Sequence, residues 1–332
     1  MKTEIASQKT IETPANAHEI EKNATAAELT NVFSEWEESV FTALKTYSNV
    51  HRGSGHFSMI TTRLYERARE VVLEQLGLDR SGFVVIFCTL READKIISLL
   101  STSDIYRIDS TEFGVALGVT ALAIHKNKLP EKVPFLSGGG NARLFDENWV
   151  IWAKPPGRFE AGTPAVINVV AFVKMLRVSS NQDKKLFRVE TEEYRSANDI
   201  LYRDNFEEYS GEDLLETLKH QLVGQSVEVP VADAMKNYIH LDYAATTPAL
   251  LPAWEAFRTT IRQHKNVQLE IIKEVKTICA GFFRAPAEDY EIIFTSNTTE
   301  AINLAAESFS RKTAKEKESV VLSTLLEHSS ND

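Results

Sequence analysis

Cysteine is scarce in this chain of 332 residues: Cys88 and Cys279 are the two it has. Two cysteines rule out a disulfide framework and suggest no zinc site. Both sit in apolar runs, where a small buried thiol of raised pKa is expected rather than a reactive one. Basic charge is also in deficit. A net charge of −10 excludes nucleic acid as a main partner, because phosphate backbones demand a concentrated basic face. Long hydrophobic runs are missing as well. Stretches such as Phe83 to Cys88 are far too short to cross a bilayer, and the opening MKTEIASQKT has no signal-peptide core. A cytoplasmic protein with no membrane partner is the expectation. His51 and His56 have no third ligand at metal-binding spacing, so loop solvation or a dimer contact suits them better. Gly138 to Gly140 are not followed by Gly-Lys-Ser/Thr, which favours a tight turn over a nucleotide loop.

What is present is a globular composition, with 43% hydrophobic and 25% charged residues, in a chain long enough for two domains or one large unit with a companion. Residues 1–25 are polar and aperiodic, a loose leader. Leu29, Val32, Phe33, Trp36, Val40, Phe41 and Leu44 then recur on one helical face, and Leu64, Ala68, Val71, Val72 and Leu76 mark a second helix. GLDRSG closes that helix before the strand FVVIFCT. READKIISLL reads as a short helix, GVALGVTALAIHK and ENWVIWA as strands, and Thr163 with Pro164 opens an apolar helix through Leu176. Residues 186–236 form a charged connector in which Ser210 is a candidate N-cap.

A new unit is expected from residue 237, with helices over 252–263 and 266–283, the strand EIIFTS, a further helix and the strand ESVVLS. At its centre lies FTSNTTEAINL, residues 294–304. Tyr290 to Phe294 are of strand type, while Ala301, Ile302, Leu304, Ala305 and Phe309 keep helical spacing. Hydroxyls and an amide therefore sit at a strand-to-helix junction, where free backbone N–H groups and the positive helix end favour an anion. The alternative is a simple cap by Thr298 or Thr299, with Glu300 near the positive end.

LDYAATTP (241–248), FTSNTTEAIN (294–303) and EHSSN (327–331) occur in this order, and the combination resembles the opening of a class V aminotransferase, the pyridoxal-phosphate group that includes the cysteine desulfurases. The resemblance implies an α/β fold: a partial fold-type-I transferase with a mixed, mostly parallel sheet flanked by helices. It implies pyridoxal 5'-phosphate as cofactor, a small amino acid as substrate, and a homo-dimer or a related subunit as partner. Asn297, Thr298 and Thr299 would hold the cofactor phosphate, and His328 would stack on its ring and move protons. Ala244, Ala245 and Thr246 match the turn near the substrate carboxylate. Tyr243 departs from the asparagine usual in the family.

Residues 26–185 resemble the same family in pieces, as a reduced and internally deleted unit. His51 and Arg52 match residues near the active-site entrance, and PGRFEAGTP, with Arg158, matches a segment approaching the substrate. Arg158 with Glu160 could equally be an ion pair anchoring the next helix. The two halves form a weak internal repeat: the phosphate turn occurs in the second, the FEAGTP segment in the first. The first half is accordingly expected to complete the site of the second. A Schiff-base lysine with the family's SGHK-like neighbours is absent, and Lys95, Lys126 and Lys128 lack that context. Residues 237–332 are thus expected to be the start of a cofactor domain, truncated or completed by a partner, with no turnover by the chain alone. Transamination, sulfur removal and related eliminations all stay open.

Overall fold

The computed structural model describes residues 26–50, 55–100, 104–146, 149–179, 195–203, 206–241 and 246–312, with residues 187, 320 and 322. Three elements of the N-terminal part form one side of a sandwich: α1 (Ala26–Lys45), α2 (His56–Leu76) and α4 (Val166–Ser179). In α1 the residues Phe33, Trp36 and Val40 recur at helical spacing and are all buried. The Trp36 indole donates to the Ala171 carbonyl of α4 at 2.8 Å, and its ring meets Phe33 and Phe187 edge-on. α2 stops where Gly77 adopts φ 64°. There the Gly77 and Leu78 N–H groups satisfy the carbonyls of Glu74 and Leu73, an ending that a left-handed glycine permits. α4 is apolar on nearly every side, as a helix packed between neighbours must be. Val166, Val169, Phe172, Met175 and Leu176 are all buried.

The sheet beside these helices has the order β1–β3–β2, from β1 (Phe83–Cys88), β2 (Ile105–Asp109) and β3 (Thr120–His125). β1 and β2 each pair antiparallel with β3, so they run in the same direction with α3 (Leu90–Leu100) crossing between them. β3 returns into the gap of a βαβ-like crossover. Strand alternation divides the core. Val85, Phe87, Ala121 and Ala123 face α1, α2 and α4, while Ile86, Leu122 and Ile124 face Ala93 and Ile96 of α3. Two hairpins, β4 (Ala142–Asp146) with β5 (Trp149–Trp152) and β6 (Glu228–Val231) with β7 (Ala234–Asn237), complete the ladders. Cys88 lies at the end of β1, with its Sγ 3.7 Å from the Thr120 carbonyl. Burial pushes its thiol well above the ordinary range, and the charge of Glu92 adds to this.

α5 (Ala197–Leu201) and α6 (Gly211–His220) precede α7 (Leu251–Ile261), α8 (Lys265–Phe283) and α9 (Thr298–Lys312). Ser210 stands at the N-cap position of α6 without a side-chain cap bond. α7 seats Trp254 against Phe41 of α1, and Arg262 reaches Glu37 of α1 at 2.7 Å. The chain is α/β, as expected. The ladders among the described residues are antiparallel rather than mostly parallel, and most of the expected strand ESVVLS lies outside the described residues. Residues 291–295 form no regular element and join no ladder among the described residues, and Ile293 and Phe294 are exposed. An apolar run becomes a strand only where another strand offers its edge.

Candidate functional site

The junction expected to bind an anion forms as a helix start. Asn297, rather than either threonine, is the cap: its Oδ1 accepts the Glu300 N–H at 2.9 Å. The Glu300 carboxylate reaches back to the Ser296 N–H at 2.7 Å and accepts from the Ser296 hydroxyl at 2.9 Å. This reciprocal arrangement resembles a capping box displaced by one residue. A carboxylate of the chain itself thus takes the donors that an incoming anion would use. Thr298 is exposed, whereas Thr299 is 2% exposed.

Two N-terminal loops cover this turn. The Asn297 Nδ2 donates to the carbonyls of Ala161 and Thr163, each at 3.3 Å. The Asn303 Nδ2 donates to the Ser137 carbonyl at 3.2 Å. The loops are themselves tied together by the Gly162 N–H on the Gly139 carbonyl at 2.6 Å. Close approach is possible because Gly138 and Gly162 have no side chain. A Cβ on the first would overlap Thr299, and one on the second would overlap the Asn297 amide. Arg91 and Lys95 of α3 add ion pairs to Glu300 and Glu307 of α9.

The 160–163 segment is positioned by Glu160, which forms a bidentate pair with Arg69, both bonds 2.7 Å. The Glu160 carboxylate also accepts the Phe87 N–H at 2.8 Å, and Arg69 donates to the Val85 carbonyl at 2.7 Å. Both side chains are 7% exposed. Burial acts to lower the Arg69 pKa, but the charge and hydrogen bonds of Glu160 outweigh it and the net displacement is upward. Arg69 was not among the expected site residues. Its signal was an arginine on the buried face of α2, four residues after Tyr65 and one after Ala68.

Between these parts lies a cavity of about 50 Å³, lined by Cys88, Glu92, Glu160, Gly162, Ser296 and Asn297 among others. That is room for a few waters, whereas pockets for small molecules begin at roughly 300 Å³. No lysine lines it among the described residues. Lys95 pairs with Glu307, the Lys126 Nζ donates to the Arg80 and Ser81 carbonyls at 2.8 Å, and Lys128 is 3.7 Å from Asp104. Burial raises the pKa of Glu92; a hydrogen bond from the Thr89 N–H opposes this and the charge of Glu300 adds to it.

Because the folded chain holds that proton more tightly than the unfolded one, the stabilisation it brings is complete below the ordinary value of 4.5. It is lost as pH rises through the higher folded value. Glu92→Gln is therefore expected to gain on the wild type in thermal midpoint as pH rises from 4.5 towards neutrality. Melting curves of the two proteins that keep a constant separation over that range would show that Glu92 does not titrate this way.

The expected site residues are brought together only in part. Asn297 meets the 160–163 segment and Thr299 lies against Gly138 of the 137–140 loop, but Arg158 does not join them. Its Nε donates to the Ala153 carbonyl at 2.9 Å and its terminal nitrogen to the Glu131 carbonyl at 2.6 Å, and Glu160 is paired with Arg69 instead. Thr246 is buried, and its hydroxyl has no hydrogen-bond partner among the described residues. His51, Arg52, Ala244, Ala245 and His328 lie outside the described residues. Among the described residues no cluster of three or more side chains could hold a metal, and no helix is long and apolar enough to cross a membrane.

The sequence model of the aminotransferase class-V family matches residues 102–215 and 239–332, more than half of the chain. The chain belongs to the class V aminotransferase family. The matched segments include Arg158, Thr246, the Asn297 turn and His328, but not His51 or Arg52. Among solved structures, it is similar to the apo cysteine desulfurase of Thermococcus onnurineus NA1, with 15% identity and a TM-score of 0.36, over 56% of this chain and 73% of that one. It is similar also to the S-sulfonic acid form of the cysteine desulfurase CsdA of Escherichia coli, with 14% identity and a TM-score of 0.35, over 47% of this chain and 66% of that one. No curated protein sequence matches the chain.

Proposed function

We propose that this chain serves a pyridoxal-phosphate-dependent enzyme acting on an amino acid, of aminotransferase or cysteine desulfurase type, and that it contributes the phosphate turn without turning over alone. Family membership supports the general class, and the helix start at Asn297 to Thr299 supports the assignment of the turn. The cofactor itself does not fit the turn as the chain is folded. The adjoining cavity is about 50 Å³, Glu92 and Glu160 line it, and the Glu300 carboxylate holds the Ser296 donors. A phosphate arriving there meets like charge and donors already engaged.

The observation that carries the reading is the Asn297 side chain, which caps α9 and at the same time bonds to the segment that resembles FEAGTP of the family. The same closure favours a second reading, a non-catalytic repeat that pairs with a related subunit. Adding pyridoxal phosphate to the 332-residue chain, followed by borohydride and peptide mapping, tests the absence of the Schiff-base residue. Scattered labelling or none is the expected result. One stoichiometrically labelled lysine would refute it and would identify the active site.

A further inference from the structure

We infer that two copies of this chain pair through β5 and residues 290–294, the hairpin of each lying against the strand-type run of the other about a twofold axis. The pairing is independent of any cofactor at the Asn297 turn. It follows from two features left incomplete on the same molecule, the first of which is the β4–β5 hairpin. This hairpin is a two-stranded sheet of its own, and no third strand joins it among the described residues. Alone in water such a hairpin is marginal. β5 reads Trp-Val-Ile-Trp, apolar at every position like a strand covered on both faces, yet Trp149, Val150 and Ile151 are exposed. It carries no charge to deter a further strand at its edge.

The second feature is the run before α9. Residues 290–294 have strand composition but join no ladder among the described residues, and Tyr290, Ile293 and Phe294 are exposed. Glu291 pairs with Lys276 and so holds the run beside α8. Ile272 and Phe283, which share the Lys276 face of α8 by helical spacing, are exposed as well. What this run needs is a strand edge, and β5 offers one. Taken singly, either patch falls short of the roughly 800 Å² that each partner gives to a stable interface. A twofold axis uses both at once on each copy and closes the assembly; the combined patches approach that area, since a large aromatic side chain contributes about 150–250 Å².

Charge sets the direction of pairing. With the strands antiparallel and Val150 opposite Ile293, Trp149 faces Phe294 and Lys154 falls opposite Asp289. The exposed Lys154 and Arg143 then stand at the end of the run that carries the exposed Glu288, Asp289 and Glu291. Parallel pairing would bring Asp146, near the hairpin tip, to that acidic end instead. Like charges placed opposite each other across strands are destabilising. The antiparallel register is therefore the one that the chain supports.

Sedimentation equilibrium of the full chain over a range of concentrations tests the pairing, with far-ultraviolet circular dichroism to confirm that each variant is folded. The wild type is expected to form a dimer that Val150→Lys and Ile293→Lys each disrupt. Lys154→Glu and Asp289→Lys are each expected to weaken the dimer about tenfold, and the two together in one chain to restore it. This charge reversal carries the test if either lysine variant does not fold. A monomeric wild type would overturn the proposal, as would a dimer indifferent to Val150→Lys and Ile293→Lys. Failure of the double reversal to recover the dimer would overturn the antiparallel contact, and open-ended growth with concentration would overturn the twofold. A chain that stays monomeric and pairs only with an added subunit of a different class V aminotransferase would overturn the second copy as occupant.

Discussion

Glu160→Ala is expected to cost about 3–5 kcal/mol of stability, the range for removing one member of a buried ion pair. The loss leaves the Arg69 guanidinium 7% exposed, with the Val85 carbonyl at 2.7 Å and the partly exposed Glu66 carboxylate at 3.3 Å as its remaining acceptors, and removes the acceptor of the Phe87 N–H. The rings of Tyr65 and Phe87 lie 4.7 and 5.5 Å from the guanidinium carbon, too apolar a setting to replace a carboxylate. Arg69→Met is expected to be damaging for the mirror reason, since it strands the carboxylate. The double variant Arg69→Met with Glu160→Leu should lose less than the sum of the singles, because no unpaired charge remains. Guanidinium unfolding, with the midpoint compared at constant slope, measures all three. A Glu160→Ala protein within about 1 kcal/mol of wild type would mean that water reaches the pair and screens it.

The second large effect is at Trp36. Replacement by alanine is expected to cost about 3–5 kcal/mol, for the side chain is 0% exposed and contacts Phe33 and Phe187 edge-on. It also carries the hydrogen bond that ties α1 to the Ala171 carbonyl of α4. Trp36→Phe is expected to lose less, retaining aromatic area while leaving that carbonyl unpaired. Equilibrium unfolding followed by far-ultraviolet circular dichroism separates the two variants. Equal losses would assign the effect to the hydrogen bond rather than to volume. An alanine variant as stable as wild type would show that α1 lies outside the cooperative core.

The two sites differ in how plainly the sequence announces them. Trp36 belongs to a run of Phe33, Trp36 and Val40 whose spacing alone places it on a buried helical face. The position of α3 under READKIISLL is equally legible, since capping and periodicity operate within a few residues. The Arg69–Glu160 pair is not legible in this way. Its members are 91 residues apart, and Arg158 is the closer basic neighbour in the chain. Arg158 instead turns its guanidinium to the backbone carbonyls of Ala153 and Glu131, and the buried charge on α2 takes the carboxylate.

The turn at 294–304 shows the same division. Its composition marks a strand-type run entering a helix with donors at the junction, and the helix is there. The expected cap was Thr298 or Thr299, and Asn297 holds the position instead, with Glu300 reaching back to Ser296 at the same time. The run EIIFTS has strand character, yet it forms no ladder among the described residues, for pairing needs a second edge that residue type cannot supply.

By itself, then, the sequence determined the amphipathic helices, the helix start after Phe294 and the low reactivity expected of Cys88, which follow from local periodicity, capping and burial, while the α/β class came with the resemblance to the family. The tertiary structure alone decided that Asn297 bonds to carbonyls 136 and 134 residues away and that glycines from one loop and one extended segment seat Thr299 and Asn297. Such contacts depend on how separately formed elements fill a common core, and packing of that kind selects partners by shape and by unpaired polar groups rather than by spacing along the chain.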